Sequence, residues 1–566
     1  MAVKAGQVAL DASAVSLCRR RVHLDHDPDA VGEPRAEPDP ALRQRRADAI
    51  AHRDAIGARL AALVGATSAT ATASNLQLSG GAWVTVPDGP AARRAVDTVA
   101  ALSGGAGYVW NAVFPLDQAG SRIGDVDLLV RADGGGYRPV IVVRHRVTDP
   151  GSGALTGPLS PPRAEMASAD PVRKARSHTR DQLRLAHLDR MLRGIGQAAA
   201  GPALGGVIGL DADVVLWYDL SAPSWPGGHS TLAEYDSRFA DRLAVARAAV
   251  ERRQPLAQPS RITECRRCPW WPVCERVLAQ RHDVSLVLRG EDANALREAG
   301  VRTVAELAAL DPRGEPPTVL HGMSFPDAVA LSRAYLRGLP LVRKVAEVPV
   351  TRADVEVDID MESFGEGGAY LWGCLLSTPS GHDIGEPLGY RAFATWQPLP
   401  TDDEARSFAE FWSWLSTVRR RCAERGLSFA AYCYNEQAEN RWLLGSADRF
   451  AGKPGIPPRA EVEAFIGSDR WVDLFAVVSR WFLCAHGKGL KRIAPAAGFS
   501  WQDPEASGEN SMRWYRLAVG MDGERPDPGQ RDRLLRYNAD DVRATHALRG
   551  WMCSPALAEV PLASEL

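Results

Sequence analysis

The stretch Cys265-Arg-Arg-Cys268-Pro-Trp-Trp-Pro-Val-Cys274 constrains this chain most, because three cysteines in ten residues, with two prolines between them, are spaced to ligate one metal centre. A fourth ligand is missing locally, and Cys18, in Ser-Leu-Cys18-Arg-Arg-Arg-Val, is the candidate for it. A centre built this way would clasp the beginning of the chain to a point near its middle and so define a domain, residues 1–280. Thiolate-only ligation with C-x2-C-x5-C spacing suits a cubane 4Fe-4S cluster, with each cysteine on a different iron, and suits a tetrahedral zinc site less well. Reduced, buried thiols are the plain alternative.

With 566 residues the chain has room for three or four domains, each with its own core. No apolar run reaches the roughly 18 residues needed to span a membrane, and Met1–Leu10 lacks the sustained apolar stretch of a leader. The expectation is therefore a cytoplasmic protein with no membrane partner, in which Cys374, Cys422, Cys433, Cys484 and Cys553 are structural. The net charge of -2 excludes a chain that is basic throughout, so any nucleic-acid site must be local.

Residues 346–566 carry the more specific chemistry. In Asp354-Val-Glu-Val-Asp-Ile-Asp-Met-Glu362 apolar residues alternate with carboxylates, so a strand would put Glu356, Asp358, Asp360 and Glu362 on one face. Like charges that close are tolerated at a solvent-facing edge, or where divalent cations neutralise them. Leu534-Leu-Arg-Tyr537-Asn-Ala-Asp540-Asp541-Val reads as a helix in which Tyr537 and Asp541, four apart, share a face. Between these motifs Tyr434-Asn435-Glu436-Gln-Ala-Glu439 offers Glu436 first and Glu439 second as a further acid, and Asp473 is a third choice. The cationic loop His486-Gly-Lys488-Gly-Leu-Lys491 suits a DNA phosphate or is a plain surface loop. Upstream, residues 281–345 form a connector in which Ala293–Ala309 reads as helix, glycine-containing turn, helix; it is similar to a helix-hairpin-helix module, with a helical spacer as the plain reading.

On these residues the whole chain resembles the RecB-like nucleases that carry an iron-sulfur clasp, in the version fused to a C-terminal RNase H-like exonuclease domain. The resemblance implies a multidomain α/β fold: a RecB-like (restriction-endonuclease-like) domain clasped by a cluster on Cys18, Cys265, Cys268 and Cys274, the helical connector, and a DEDD-type exonuclease domain. Asp360-Met-Glu362 is similar to the D-x-E motif that opens those exonucleases, and Tyr537-x3-Asp541 to their closing Y-x3-D. Asp360, Glu362, Glu436 and Asp541 would then hold Mg2+ or Mn2+, and Tyr537 would orient the attacking water.

In the RecB-like part the resemblance assigns metal binding to His52 and Asp127, the latter on the first strand of a hairpin, Ile123–Val130 with Tyr137–Val143. The second strand should then carry an acid, one spacer and a lysine, but Pro139-Val-Ile-Val-Val-Arg-His145-Arg offers no carboxylate. Gln182 stands for the family's glutamine, with Ala186 where its tyrosine partner belongs. The expectation is a degenerate nuclease site that survives as a clamp or DNA-binding scaffold. For the whole chain it is a metal-dependent DNA exonuclease acting in repair or processing beside other repair proteins; the alternative is a catalytically inactive DNA-binding scaffold.

Overall fold

The computed structural model describes residues 8–37, 39–64, 69–70, 82–523 and 525–566. The leader expectation rests on Met1–Leu10, of which residues 1–7 lie outside them. The chain divides into two compact units, Met1–Pro259 with Thr263–Val277, and Ser260–Ile262 with Leu278–Leu566, so the residues expected as a connector belong to the second unit. Among the described residues no helix is long and apolar enough to cross a membrane.

The first unit is built on a mixed sheet. At its centre the strands Asp125–Arg131 and Tyr137–Val142 pair antiparallel as the alternation requires, with Val130 opposite Arg138. Their turn closes through Gly135 and Gly136 at φ 86° and 71°, a conformation that a side chain would strain. The cysteine segment, a 3-10 turn at Thr263–Arg267 followed by the helix Trp271–Gln280, packs on the N-terminal helix Arg19–His26. Trp270, fully buried, fixes that contact by donating its indole N–H to Asp25 at 2.7 Å, while the Arg35 guanidinium lies 4.1 Å above its ring.

The second unit begins with the expected helix, turn and helix, Glu291–Glu298 and Val304–Ala308. Gly300 at φ 91° makes the turn, and Thr303 with Glu306 caps the second helix reciprocally. Its main body is a five-stranded sheet in the order Gly389–Ala394, Ala369–Ser377, Val355–Ser363, Phe429–Cys433, Trp471–Asp473, the first three antiparallel and the last two joined in parallel. The carboxylate strand Val355–Ser363 is thus the middle strand. Its Val355, Val357 and Ile359 enter a core with Phe408, Phe411, Trp412 and Leu415 of the helix Asp403–Glu424. By the pleat, its carboxylates point to the opposite face, where the 25-residue helix Pro528–Met552 packs.

The solvent-edge reading of the carboxylate row is therefore wrong: Glu356 and Asp358 are fully buried. Arg549, itself without exposed surface, forks between them, reaching Asp358 at 2.7 Å and also bonding Glu356. Arg352 adds contacts of 2.6 and 3.0 Å to Glu356, and His546 lies 3.1 Å from Asp358. Removing one partner of a buried ion pair strands the other charge, so Arg549→Met should destabilise this unit by about 3–5 kcal/mol in denaturant unfolding. Arg420→Met, which removes an exposed pair with Glu424, should be near neutral; equal losses would contradict the burial argument.

Candidate metal centre

Strand and helix run antiparallel, so the residues that follow Asp358 along the strand meet those that precede His546 along the helix. Asn538, Asp541, Thr545 and Arg549 recur at spacings of three and four and lie on one helical face. Ligand oxygens of Asp360, Glu362 and Asp541 consequently gather within 4.8 Å of one another. Among the described residues no arginine bonds this half of the row. Burial, and then mutual repulsion, push Asp360 and Glu362 well above the usual carboxylate range, and Asp541 is raised by burial despite the Lys491 ammonium nearby. With the Lys491 ammonium as their neighbouring cation, three acids so placed could hold a hard divalent ion.

Neighbouring groups orient each ligand. Asn538, fully buried, donates its amide to Asp360 at 2.7 Å and accepts the Tyr390 hydroxyl at 2.8 Å. Gly373 on the adjacent strand makes this possible, since a Cβ there would stand 1.6 Å from the Asn538 amide oxygen. Ser511 donates to Glu362 at 2.8 Å, and the Trp501 indole donates to Asp541 at 2.6 Å. Tyr537 accepts from Lys491 at 2.9 Å, so this lysine of the cationic loop faces the acidic cluster, while Lys488 donates to the Ser479 carbonyl at 3.2 Å.

The three candidates for the additional acid sit in different surroundings. Asp473 caps the helix Leu474–Trp481, accepting from the Phe475 and Asn435 amides at 2.8 Å each. Glu436, in the first turn of the helix Glu436–Arg449, is partly exposed. Glu439, one turn later, is buried; one of its oxygens has no hydrogen-bond partner, and its charge adds to the repulsion felt by Asp360. Burial, followed by the charges of Asp473 and Glu362, pushes Glu439 up to about 8.

Residues 451–553 match the family model described as RNase H superfamily. The C-terminal unit carries an RNase H-like domain. The matched span holds Asp473, Lys491, Tyr537 and Asp541, while Asp360, Glu362, Glu436 and Glu439 precede it. No curated protein and no solved structure gives a significant match to the chain. An RNase H-like domain is consistent with a nuclease that hydrolyses phosphodiesters, hence with binding of nucleic acid, and its acidic cluster could bind a divalent metal.

In the first unit Asp127 is enclosed differently. Its oxygens accept from Arg53 at 2.6 Å, from Arg184 at 3.4 Å and from the Val142 amide at 2.8 Å. It is Arg53, one residue beyond His52, that reaches Asp127. Burial lowers His52 below its ordinary pKa, favouring the neutral ring. Gln182 bonds Ser177 and Thr231 at 2.7 and 3.1 Å. Among the cysteines, burial pushes Cys268 up to about 11 and Cys274 up to about 12, and in both the neighbouring thiols of Cys18 and Cys265 add to the shift. Cys268 and Cys274 thus each have Cys18 and Cys265 as neighbours.

Acids whose pKa rises on folding hold protons that the unfolded chain releases, so their contribution to stability is complete below the ordinary value and is lost as pH rises through the folded one. For Glu439 that window runs from 4.5 to about 8. In chelator-treated protein the thermal midpoint of Glu439→Gln should gain on the wild type across this window, because the amide cannot ionise. Mn2+ should reverse the advantage, and a pH-independent offset would contradict the assignment.

Proposed function

We propose that the C-terminal unit is a metal-dependent exonuclease that degrades DNA by two-metal phosphodiester hydrolysis. The observation that carries this reading is the trio of half-buried Asp360 with buried Glu362 and Asp541, mutually repelling and, among the described residues, unserved by arginine, beside a row whose other half is fully paired. Asp360, Glu362 and Asp541 would hold the divalent metal, which would supply an activated water and charge stabilisation of the leaving oxygen. Tyr537 would orient that water, and Glu439 rather than Glu436 would complete the ligand set, since it is the buried acid sharing the cluster's field. The D-x-E and Y-x3-D motifs favour attack from a strand end, as in the exonucleases the chain resembles.

The first unit serves, in this reading, as a DNA-binding scaffold in repair or processing. Asp127, held by two arginines and lacking a carboxylate on the neighbouring strand, would no longer take a catalytic ion. Cys18, Cys265, Cys268 and Cys274 would hold a 4Fe-4S cluster whose role is to close the fold. Protein purified without oxygen should then be brown and contain about four irons per chain; colourless protein with stoichiometric zinc would end that assignment.

The decisive assay is degradation of end-labelled DNA with Mg2+ or Mn2+. Asp360→Ala, Glu362→Ala and Asp541→Ala should abolish cleavage, and Tyr537→Phe should lower it by about 10- to 1000-fold, the range for losing one group that positions water. Glu439→Gln should cost more than Glu436→Gln, whereas Asp127→Ala should leave cleavage nearly intact. Absence of cleavage by the wild type with any divalent ion would favour the inactive scaffold.

A further inference from the structure

Outside the acidic cluster and the cysteines, the first unit gathers a third set of metal-ligating side chains. His145 lies in the loop after the strand Tyr137–Val142, His178 immediately precedes the helix Thr179–Gly194, and Asp181 stands in that helix's first turn. One ligand atom from each lies within 4.8 Å of the other two. His145 Nε2 is 2.8 Å from Asp181 Oδ2, and the two imidazole rings stand 3.9 Å apart between centroids at 46°. A cation placed among the two rings and the carboxylate would meet a donor atom from each.

We propose that His145, His178 and Asp181 form a binding site for a divalent transition-metal ion of the zinc class. Two imidazoles with one carboxylate select such ions over Mg2+ or Ca2+, which prefer oxygen alone. In a tetrahedral site two ligands each about 2.1 Å from the metal stand about 3.4 Å apart, so His145 and Asp181, hydrogen-bonded at 2.8 Å, would part by a fraction of an ångström to admit the ion. Three protein ligands leave a coordination position open, which distinguishes the site from a closed four-thiolate centre. The His145 side chain is 32% exposed, so an ion can enter from solvent. Secondary structure fixes the donors: Asp181 N–H bonds the His178 carbonyl at 3.0 Å, locking both residues in one turn, and the Leu210 amide holds the His145 carbonyl at 2.9 Å. The site uses neither Asp127 nor the cysteines and does not depend on the nuclease reading.

The test is titration of chelator-treated full-length protein with Co2+ in the presence of excess Mg2+. Thiolate ligation reports itself by sulfur-to-cobalt charge transfer, whereas nitrogen and oxygen ligation gives only weak visible bands. The wild type should take up one equivalent with the second signature, and His145→Ala, His178→Ala and Asp181→Asn should each lose it while circular dichroism and DNA cleavage stay unchanged. Undiminished uptake by the His145→Ala/His178→Ala double variant would overturn the site. As a check that needs no variant, Cu2+ bound to the wild type should show electron-spin coupling to two imidazole nitrogens, and absence of nitrogen coupling would equally overturn it.

Discussion

The fork of Arg549 between Glu356 and Asp358 is the contact on which the C-terminal unit depends. A central strand that alternates valine or isoleucine with acids can build a core on one face only if the acids on the other are neutralised. Arg549 and Arg352 neutralise the first half of the row, and this docks the last helix antiparallel against the strand. Once that register is set, Asp541 falls two turns from Arg549 along the helix and opposite Asp360 and Glu362. Half of the row is thereby spent on folding, and the other half is left with excess negative charge.

Arginine decides the fate of carboxylates in the first unit as well. Asp127 sits on a well-formed hairpin, with Arg53 2.6 Å and Arg184 3.4 Å from its oxygens. A buried aspartate between two guanidiniums is neutralised as Glu356 and Asp358 are. The cysteine segment shows the opposite balance: its burial raises the thiols, and the Trp270 anchor to Asp25 brings the segment to the N-terminal helix.

Alternation along Val355–Ser363, the hairpin at Asp125–Val142 and the helix bearing Tyr537 and Asp541 were legible in the sequence, because each rests on a local period that the fold preserves. That the carboxylate strand lies at the centre of the sheet was not legible, since edge and centre differ only in partners remote along the chain. The same limit hid Arg549, whose partners stand 193 and 191 residues away, and Asn538, whose seat depends on a glycine in another strand. Spacing pointed to Glu436 ahead of Glu439, whereas burial separates them; one helical turn decides which of two acids faces inward. The His145, His178 and Asp181 group gave no sequence signal, because its members are joined only when the helix start folds beside the loop.

Anomalous diffraction from crystals of the full chain soaked in Mn2+ tests the central claim most directly. The account requires manganese between the carboxylates of Asp360, Glu362 and Asp541, with Glu356 and Asp358 still bound to Arg549. Crystals that take up manganese elsewhere while leaving those three carboxylates without it, or that show Arg549 swung over to them, would contradict it.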